Sequence, residues 1–534
     1  MNIKHYFAEH KDMNIKKLFD FTTEKKSFTL DESKDNYTPP RAPYPAISEN
    51  IEENLKVIKE IFSADLSCDI KIREFYTGNL KAFIVFIENL VMTEVINENI
   101  LAPLMLFKNK DISYEKIKDT LLVLNQLSEA DTFEKVAESV NLGDCVLFVD
   151  GCSKVFTCDV KSWARRGIDS PITESVIYGP HEAFIENYKT NISLVRKNLR
   201  REELICESIN VGKVSQTPCG LLYIDGITNK ALIKEIKRRL NNINADYVFQ
   251  AGELEQFIED STFSLMPQML TTERPDKCAN ALVEGKVVLL LHGSPFALIC
   301  PVTFAEFLTT VEDRYIRFPF AGLMKIIRII GILCSFLLPG LYISVINFHQ
   351  EMIPTDLLFA IEASRESVPF PALVELLIME IAFDVIREAS IRVPSSIGST
   401  LGIIGALIIG DAAVSANLVS PIAIIIVAVT GIGSYATPSY SLNMCLRYLR
   451  YFYIILGSVM GFFGIAFGLF INAASLCATN SLGVSMFEAM ANDGKDNILR
   501  ILLPFPIWKR ELRHKFLNPE KMRVQDKISR GWDK

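Results

Sequence analysis

The order of hydrophobic and polar positions divides the chain into a charged N-terminal part and an apolar C-terminal part. Residues 1 to about 320 carry dense charge and short amphipathic stretches, whereas residues from about 324 to 478 hold long apolar runs broken by Gly and Pro. A chain of 534 residues also exceeds what one hydrophobic core usually organises. The pattern therefore predicts a soluble region followed by a membrane region.

The soluble region shows the same order of predicted elements twice. In the first copy ISENIEENLKVIKEIF is spaced as a helix, CDIKIREFY and AFIVFIENL as strands, and MTEVINENILAPLML as a helix. In the second copy ELICESINVG and GLLYIDGI are strands, followed by the helix TNKALIKEIKRRL. Hairpins close both copies: GDCVLFVDGCSKVFTCDV, whose Asp150-Gly151 turn suits positive φ, and GKVVLLLHGSPFALI. The fold class expected is an α+β soluble region of two related α/β lobes, followed by an α-helical transmembrane domain.

These patterns give six segments. Between the lobes, Phe184, Tyr188, Ile192, Val195 and Leu199 have helical spacing, which predicts a connecting helix from Glu182 on. The N-terminus lacks an apolar stretch long enough for a signal peptide and is expected to stay on the cytoplasmic side. The expected segments are a disordered leader (1–43), soluble lobe 1 (44–160), the connecting helix (161–201), soluble lobe 2 (202–317), the transmembrane domain (318–480) and a basic cytoplasmic tail (481–534).

Four apolar runs have about the 20 residues that a helix needs to cross a bilayer. They cover 324–347, 397–416, 418–437 and 452–478. Basic residues before the first run and in the tail place both ends on the cytoplasmic side, so an even number of crossings is expected. Four spans satisfy this, and the charged stretch 369–390 is then an amphipathic or re-entrant helix.

That charged stretch contains the main candidate site. At 100° per residue, Glu380, Asp384, Arg387 and Glu388 fall within a sector of about 100°, with Arg392 just beyond its edge. Ionisable groups at membrane depth must pair or face a wet cavity, and Glu388 and Arg392 have the spacing to pair. The stripe is either a pore-lining or gating surface, or an interfacial helix with its charges among the lipid headgroups.

Two further features lie in the apolar runs. Asp411 stands alone among small residues, where it either faces a pore or caps a broken helix. The last run carries a stripe of small residues that permits close helix packing, either within the chain or between subunits: Gly457, Gly461, Gly464 and Gly468.

The net charge, the cysteine pattern and the motifs of the chain argue against several classes of function. A formal net charge of −7 gives no electrostatic footprint for nucleic acid. The eleven cysteines form no CxxC pair, and Cys145, Cys152 and Cys158 are expected to be reduced thiols, so neither a metal nor a cofactor is predicted. No phosphate-binding loop, nucleophile elbow or HExxH motif is present, and we do not expect an enzyme. A cleft between the lobes would suit a small molecule or a protein interface.

Several long motifs resemble the A subunits of the GerA-type spore germination receptors, including a stage V sporulation paralogue. They are SPITESVIYGPHEAFIENYKTNISLVRKNLR, GSPFALICPVTFAEFLTTVEDRY, HQEMIPTDLLFAIEASRESVPFPALVELLIMEIAFDVIREASIRVP and IGSTLGIIGALIIGDAAVSANLVSP. The resemblance extends from about Pro43 to Phe505. It departs from the family pattern at His181, at Ser485 and in the closing WKRELRHKF, which leaves a main receptor subunit and a specialised variant both open.

The resemblance implies a multi-pass protein of the inner spore membrane that couples germinant sensing to ion release. It implies a transporter-like B subunit and a lipoprotein C subunit as partners, with self-association into a membrane channel in contact with lipid. It also places seven residues on the family's most characteristic motif: Glu375, Glu380, Asp384, Arg387, Glu388, Arg392 and Pro394. Two other functions stay open, a secondary transporter and a non-conducting platform for the B subunit.

Overall fold

The computed structural model describes residues 44–107, 114–124, 126–162, 170–392, 410–488 and 512–525, with backbone only at 391 and 392. The expected leader, the first part of the second apolar run and much of the tail lie outside these residues. The described residues form two α/β lobes and a helical region, defined here as residues 318–478. The expected fold class is confirmed.

The two lobes have the same topology. In each, a five-stranded antiparallel sheet places the third strand in sequence at the far edge, in the order β1-β2-β4-β5-β3 and β6-β7-β9-β10-β8. The strands of lobe 1 are β1 Ile70–Thr77, β2 Leu80–Ile87, β3 Leu127–Ala130, β4 Cys145–Val149 and β5 Val155–Cys158. Those of lobe 2 are β6 Leu204–Val211, β7 Thr217–Ile224, β8 Leu270–Thr272, β9 Val287–Leu291 and β10 Ala297–Cys300. The predicted duplication is therefore present in the fold.

Helices cover these sheets at equivalent places. A helix precedes the first strand and another precedes the closing hairpin in both lobes, and a helical stretch follows the second strand. The main helices are α1 Ile51–Ile61, α2 Phe133–Leu142, α3 Tyr188–Asn198, α4 Lys230–Asn241, α5 Ala251–Ile258 and α6 Pro275–Val283. Shorter stretches follow β2, at Thr93–Val95, Ile96–Leu101, Ala102–Leu106, Tyr114–Lys116 and Ile117–Leu121.

The connecting helix α3 is shorter than its apolar spacing suggests. It begins at Tyr188, because the Asn187 side chain accepts a hydrogen bond from the Lys189 backbone N–H and caps the helix there. The preceding residues run as an irregular segment, and Phe184 is bonded through its backbone to Glu273. An apolar residue at helical spacing thus packs from a loop.

Five longer helices are present in the described part of the helical region. They are α7 Phe318–Phe348, α8 Thr355–Arg365, α9 Ala372–Arg392, α10 Pro421–Tyr435 and α11 Tyr440–Ala478. Among the described residues, α7 and α11 are long and apolar enough to cross a membrane. The stretch expected to be amphipathic or re-entrant is α9, which packs against both α7 and α10. The number of membrane crossings stays a prediction.

The chain reverses direction inside α11. Gly461 has φ 60° and ψ −143°, which only glycine adopts readily, and it separates the segments 440–460 and 462–478. A Cβ added at Gly464 would lie 2.3 Å from the carbonyl oxygen of Leu456, so the two segments lie side by side. The expected single span from 452 to 478 is instead part of a helical hairpin.

Both ends of the helical region are anchored on lobe 2. Arg328 of α7 bonds to Asp313, at 2.8 Å between Nη1 and Oδ2, just after the last strand of lobe 2. After α11 the chain forms a small hairpin, β11 Asn480–Ser481 and β12 Val484–Ser485. The Ser481 hydroxyl donates to the carbonyl of Gln268 at 2.6 Å. Apolar side chains of α7, α11 and lobe 2 form one continuous core, so the helices and lobe 2 are a single packed unit.

Candidate functional site

The candidate site is the inner face of α9 and the side chains it meets. Two prolines, Pro369 and Pro371, precede the helix, and the carbonyl of Pro371 accepts the Glu375 N–H, so the first turn forms directly after them. The inner face mixes apolar residues such as Leu376 and Met379 with two carboxylates, Glu375 and Glu380, that have no exposed surface. Buried carboxylates require partners, and the structure supplies them.

Glu375 lies at the start of α10. Its Oε1 accepts the Ser420 backbone N–H at 2.5 Å, and Ser420 caps α10 by accepting the Ala423 N–H at 3.3 Å. A carboxylate at a helix N-terminus is stabilised by the exposed N–H groups and the helix dipole. Its second oxygen lies 3.6 Å from Arg365 Nε of α8. One side chain therefore holds three helices, α8, α9 and α10, in register.

Glu380 forms an ion pair with Arg450 of α11. Both side chains are buried, with 0% and 1% exposure. The Arg450 Nε also donates to the carbonyl of Ser335 in α7 at 2.9 Å. This pair, called here the central ion pair, connects α9, α11 and α7 at the middle of the bundle. Its surroundings exclude water, so each charge depends on the other.

The two remaining inner charges lie further along α9. Asp384 accepts the Tyr451 hydroxyl at 2.7 Å, and its other oxygen is 3.8 Å from Arg447 Nε. Arg387 donates to the Ser434 hydroxyl at 2.9 Å, and its guanidinium lies 4.8 Å from the centre of the Tyr435 ring. That distance is in the range of a cation–π interaction. The inner charges of α9 are thus three acids followed by one arginine, and all of them contact α10 or α11.

The three other candidates lie elsewhere in the chain. Glu388 is exposed at the lobe end of α9, and Asp411 is exposed at the start of the next described segment. The Arg392 side chain lies outside the described residues. The seven pore or gate candidates are Glu375, Glu380, Asp384, Arg387, Glu388, Arg392 and Asp411. Of these, the structure brings Glu380, Asp384 and Arg387 together on one side of α9 and buries Glu375 near the start of the helix.

The four glycines do not form one stripe, because the chain reverses at Gly461. Gly457 faces the backbone of Gly340 in α7, and a Cβ there would lie 2.5 Å from the Gly340 oxygen. Gly461 lies against His349 and Phe348 at the tip of the hairpin. Gly464 and Gly468 face the other half of α11. Each glycine contacts this chain's own helices.

Sequence reasoning did not identify the partners of α9. Arg447 and Arg450 stand three residues apart in LRYLRYFY, directly before the last apolar run, and this spacing was the available signal. Arg365 and Ser420 carried no such signal. Arg365 also lines a cavity of 210 Å³ at the end of the bundle far from the lobes, together with Ile361, Glu362 and Glu366. Arg365 therefore connects the buried Glu375 to this cavity at the surface of the bundle.

This chain is similar in sequence to known proteins over most of its length. Residues 56–516 match the family described as Bacillus/Clostridium GerA spore germination protein. Spore germination protein KA of Bacillus subtilis (strain 168) is 36% identical over 92% of this chain and 89% of its own length. The uncharacterized membrane protein YfkQ of the same strain is 38% identical over 86% of this chain and 90% of its own.

A solved structure also resembles part of the chain. It is the N-terminal domain of the A subunit of the Bacillus megaterium spore germinant receptor GerK3, which is 32% identical and covers 49% of this chain and 98% of its own, with a TM-score of 0.37. The family match extends across both lobes and the helical region, including every residue of the inner face of α9. The chain therefore belongs to the GerA family of spore germination proteins.

Proposed function

We propose that this protein is the A subunit of a nutrient germinant receptor and that copies of it assemble into a membrane ion channel. Membership of the GerA family and the similarity to spore germination protein KA support a role in germination. The apolar length of α7 and the apolar composition of α11 support a place in a membrane, which we take to be the inner spore membrane. The partners we infer are a transporter-like B subunit that senses the nutrient and a lipoprotein C subunit.

The outer face of α9 carries this proposal. Its exposed residues are apolar and repeat at intervals of four and three, ending in an acid: Val374, Ile378, Ile381, Val385 and Glu388. This heptad spacing is typical of helices that associate with copies of themselves. We call these five residues the outer stripe. Because the inner charges occupy the opposite face, each copy of α9 can present the outer stripe to a common axis.

In such a ring the outer stripe would surround the ion path. Apolar side chains at a constriction exclude water and hold a channel closed. The inner charges then act as positioning residues, because they fix α9 against α10 and α11. Lobe 2 shares its core with α7 and α11, so a movement of lobe 2 would be transmitted to α9 through the central ion pair.

The test is potassium efflux from spores that carry Val385→Thr. The threonine keeps the shape of valine and adds a hydroxyl, so a closed apolar constriction should become wetter and leak potassium without nutrient. The matched control is Val429→Thr on α10, which is also exposed, at 41% against 62% for Val385. Protein levels are compared by blotting. If the two variants release potassium equally, whether both leak or neither leaks, the outer stripe does not line the ion path.

A non-conducting platform for the B subunit is the second candidate. It is favoured by the observation that Glu375, Glu380, Asp384 and Arg387 all find partners within the chain, which is what a static bundle needs. Ion flux through vesicles that contain the purified protein separates the two. A channel would release potassium in proportion to the protein, more so for Val385→Thr, whereas a platform would leave the vesicles sealed in both cases.

A further inference from the structure

Two cysteines from different lobes meet at the boundary between the lobes. Cys68 lies just before β1 of lobe 1, and Cys206 lies in β6 of lobe 2, 138 positions later. Their sulfur atoms are 3.7 Å apart, and the Cys68 backbone N–H donates to the Cys206 carbonyl at 2.8 Å. The backbone contact keeps the two residues side by side, with their sulfur atoms in van der Waals contact. No other pair of cysteine sulfurs from different lobes is joined in this way among the described residues.

The surroundings hold this pair in place and leave one side open. The neighbouring Asp69 is paired with the buried Arg196 of α3, whose Nη2 donates to the Leu204 carbonyl at 2.9 Å, so β1 and β6 are fixed against the same helix. Cys206 is fully buried, whereas Cys68 is half-buried. The hydrogen bond between the Cys68 and Cys206 thiols lowers the pKa of Cys68 below its ordinary value, which favours its thiolate.

We propose that Cys68 and Cys206 are an oxidation site at which a peroxide joins lobe 1 covalently to lobe 2. The Cys68 thiolate attacks the peroxide, breaks its O–O bond and becomes a sulfenic acid, and the released hydroxide takes up a proton to form water. The Cys206 sulfur then attacks the Cys68 sulfur, forming the S–S bond and releasing the second oxygen as water. Together the two thiols lose two electrons and two protons, and hydrogen peroxide is reduced to two waters.

Other cysteines of the chain provide internal controls. Cys145 and Cys158 are direct neighbours on β4 and β5, but both are fully buried, so they are expected to remain thiols. Cys152 is half-buried like Cys68, but burial raises the pKa of its thiol, and it has no thiol partner described across a boundary. Cys68 is both partly exposed and in contact with a second thiol, that of Cys206. We therefore assign the oxidation to this pair.

The experiment uses the purified full-length protein in detergent. It is treated with a small molar excess of hydrogen peroxide, its free thiols are blocked with N-ethylmaleimide, and its peptides are mapped by mass spectrometry. The number of free thiols should fall by two, from eleven to nine, with a peptide joining Cys68 to Cys206 within one chain. Dithiothreitol should restore both thiols. Cys152→Ser should form the same bond, and Cys68→Ser should leave Cys206 free.

Three results would overturn the proposal. The first is the same loss of two thiols in Cys68→Ser. The second is recovery of Cys68 as sulfinic acid while Cys206 still reacts with N-ethylmaleimide. The third is a cross-link that joins different chains only. Should Cys68→Ser not fold, the peptide map of the unmodified sequence decides alone, because the bond between residues 68 and 206 is either present or absent there.

Discussion

At the scale of residues, the central ion pair illustrates how charge is tolerated inside an apolar bundle. Glu380 and Arg450 are fully buried, and the arginine also donates through its Nε to the Ser335 carbonyl. Removing either partner leaves an uncompensated buried charge, which costs far more than the pair contributes in net stability. The pair therefore specifies how α9, α11 and α7 pack together, and adds little to the net free energy of unfolding.

We expect Glu380→Ala and Arg450→Ala each to destabilise the protein by about 3–5 kcal/mol. A variant that carries Glu380→Leu and Arg450→Leu together should be destabilised by less than the sum of the single variants, since no charge is left unpaired. Thermal unfolding of the protein in detergent measures this. Glu362→Gln, an exposed carboxylate on α8, is the control and should change stability little. Strictly additive effects would contradict direct pairing.

Glu255 on α5 provides a prediction about pH. Burial raises its pKa from an ordinary 4.5 to about 7, although the Met269 N–H opposes this by donating to it. The folded protein then binds this proton more tightly than the unfolded chain does. Its contribution is complete below about pH 4.5 and is lost as the pH rises to about 7, a change of about 3 kcal/mol.

Replacing Glu255 with glutamine removes this titration. In Glu255→Gln the unfolding temperature should fall less than in the unmodified protein between pH 4.5 and pH 7, and should be higher at pH 8. Unfolding followed at several pH values in one detergent gives the comparison. Parallel profiles for the two proteins would mean that this carboxyl titrates normally in the fold.

At the scale of elements, the hairpin within α11 depends on Gly461. Its backbone conformation is reserved for glycine, and a Cβ would lie 2.9 Å from the His349 ring and 3.1 Å from Phe348 Cβ. The α7 terminus therefore closes over the turn where the two halves of α11 meet. Without this reversal, Gly464 and Gly468 could not face Leu456 and Tyr453.

Gly461→Ala is accordingly expected to destabilise the protein by about 1–3 kcal/mol. The loss should appear as a lower unfolding temperature and less protein in the membrane fraction. Gly252→Ala is the matched control, because Gly252 lies in α5 with no neighbour within 4 Å of an added Cβ. There the substitution should be neutral or slightly stabilising. An unchanged Gly461→Ala protein would mean that the turn is not needed for packing.

The sequence predicted long elements better than short ones. Alternating apolar residues and the Asp150-Gly151 turn were enough to identify the repeated strands and the closing hairpin, and Gly151 does have φ 79°. The edge strands β3 and β8 were missed because they have only four and three residues, too few to show a period. The reversal at Gly461 was missed since glycines four and three apart fit one helix face as well as a hairpin.

In the candidate site, the sequence predicted local features but not tertiary contacts. The spacing placed Glu380, Asp384 and Arg387 correctly on one face of a helix, because that depends only on local geometry. Their partners depend on the tertiary fold, since Arg450 is 70 residues from Glu380 and Ser434 is 47 from Arg387. The outer stripe was visible in the sequence as apolar positions, but which face packs inward was not.

At the scale of the whole molecule, the helices run between two ends of a bundle. Arg328 of α7 and Cys445 of α11 lie beside lobe 2, with the Cys445 sulfur 3.5 Å from that of Met266. Glu375 and Ser420 meet at the opposite end, where α7 ends at Phe348 beside Gly461. If the bundle crosses a membrane, the residues around Glu351 and the lobes must face opposite sides.

Cysteine labelling tests this arrangement. In spheroplasts of cells that express the protein with Cys477→Ser, we expect Glu351→Cys to react with a membrane-impermeant maleimide from outside. Lys213→Cys, on the exposed surface of lobe 2, should react only after the membrane is permeabilised. Both positions are exposed in the fold, so a difference reports sidedness. Labelling of both positions in intact spheroplasts, or of neither, would contradict a bundle that spans the membrane.

The return of the chain to lobe 2 after α11 determines when that lobe can be completed during synthesis. Leu482 belongs to the lobe 2 core, and the Met486 carbonyl accepts the Phe304 N–H at 3.0 Å. These residues leave the ribosome only after every helix of the bundle has been made. Lobe 2 therefore waits, with part of its interior uncovered, until all the described helices have been synthesised. A chain that stops before Leu482 keeps an unfinished lobe, which proteases can recognise.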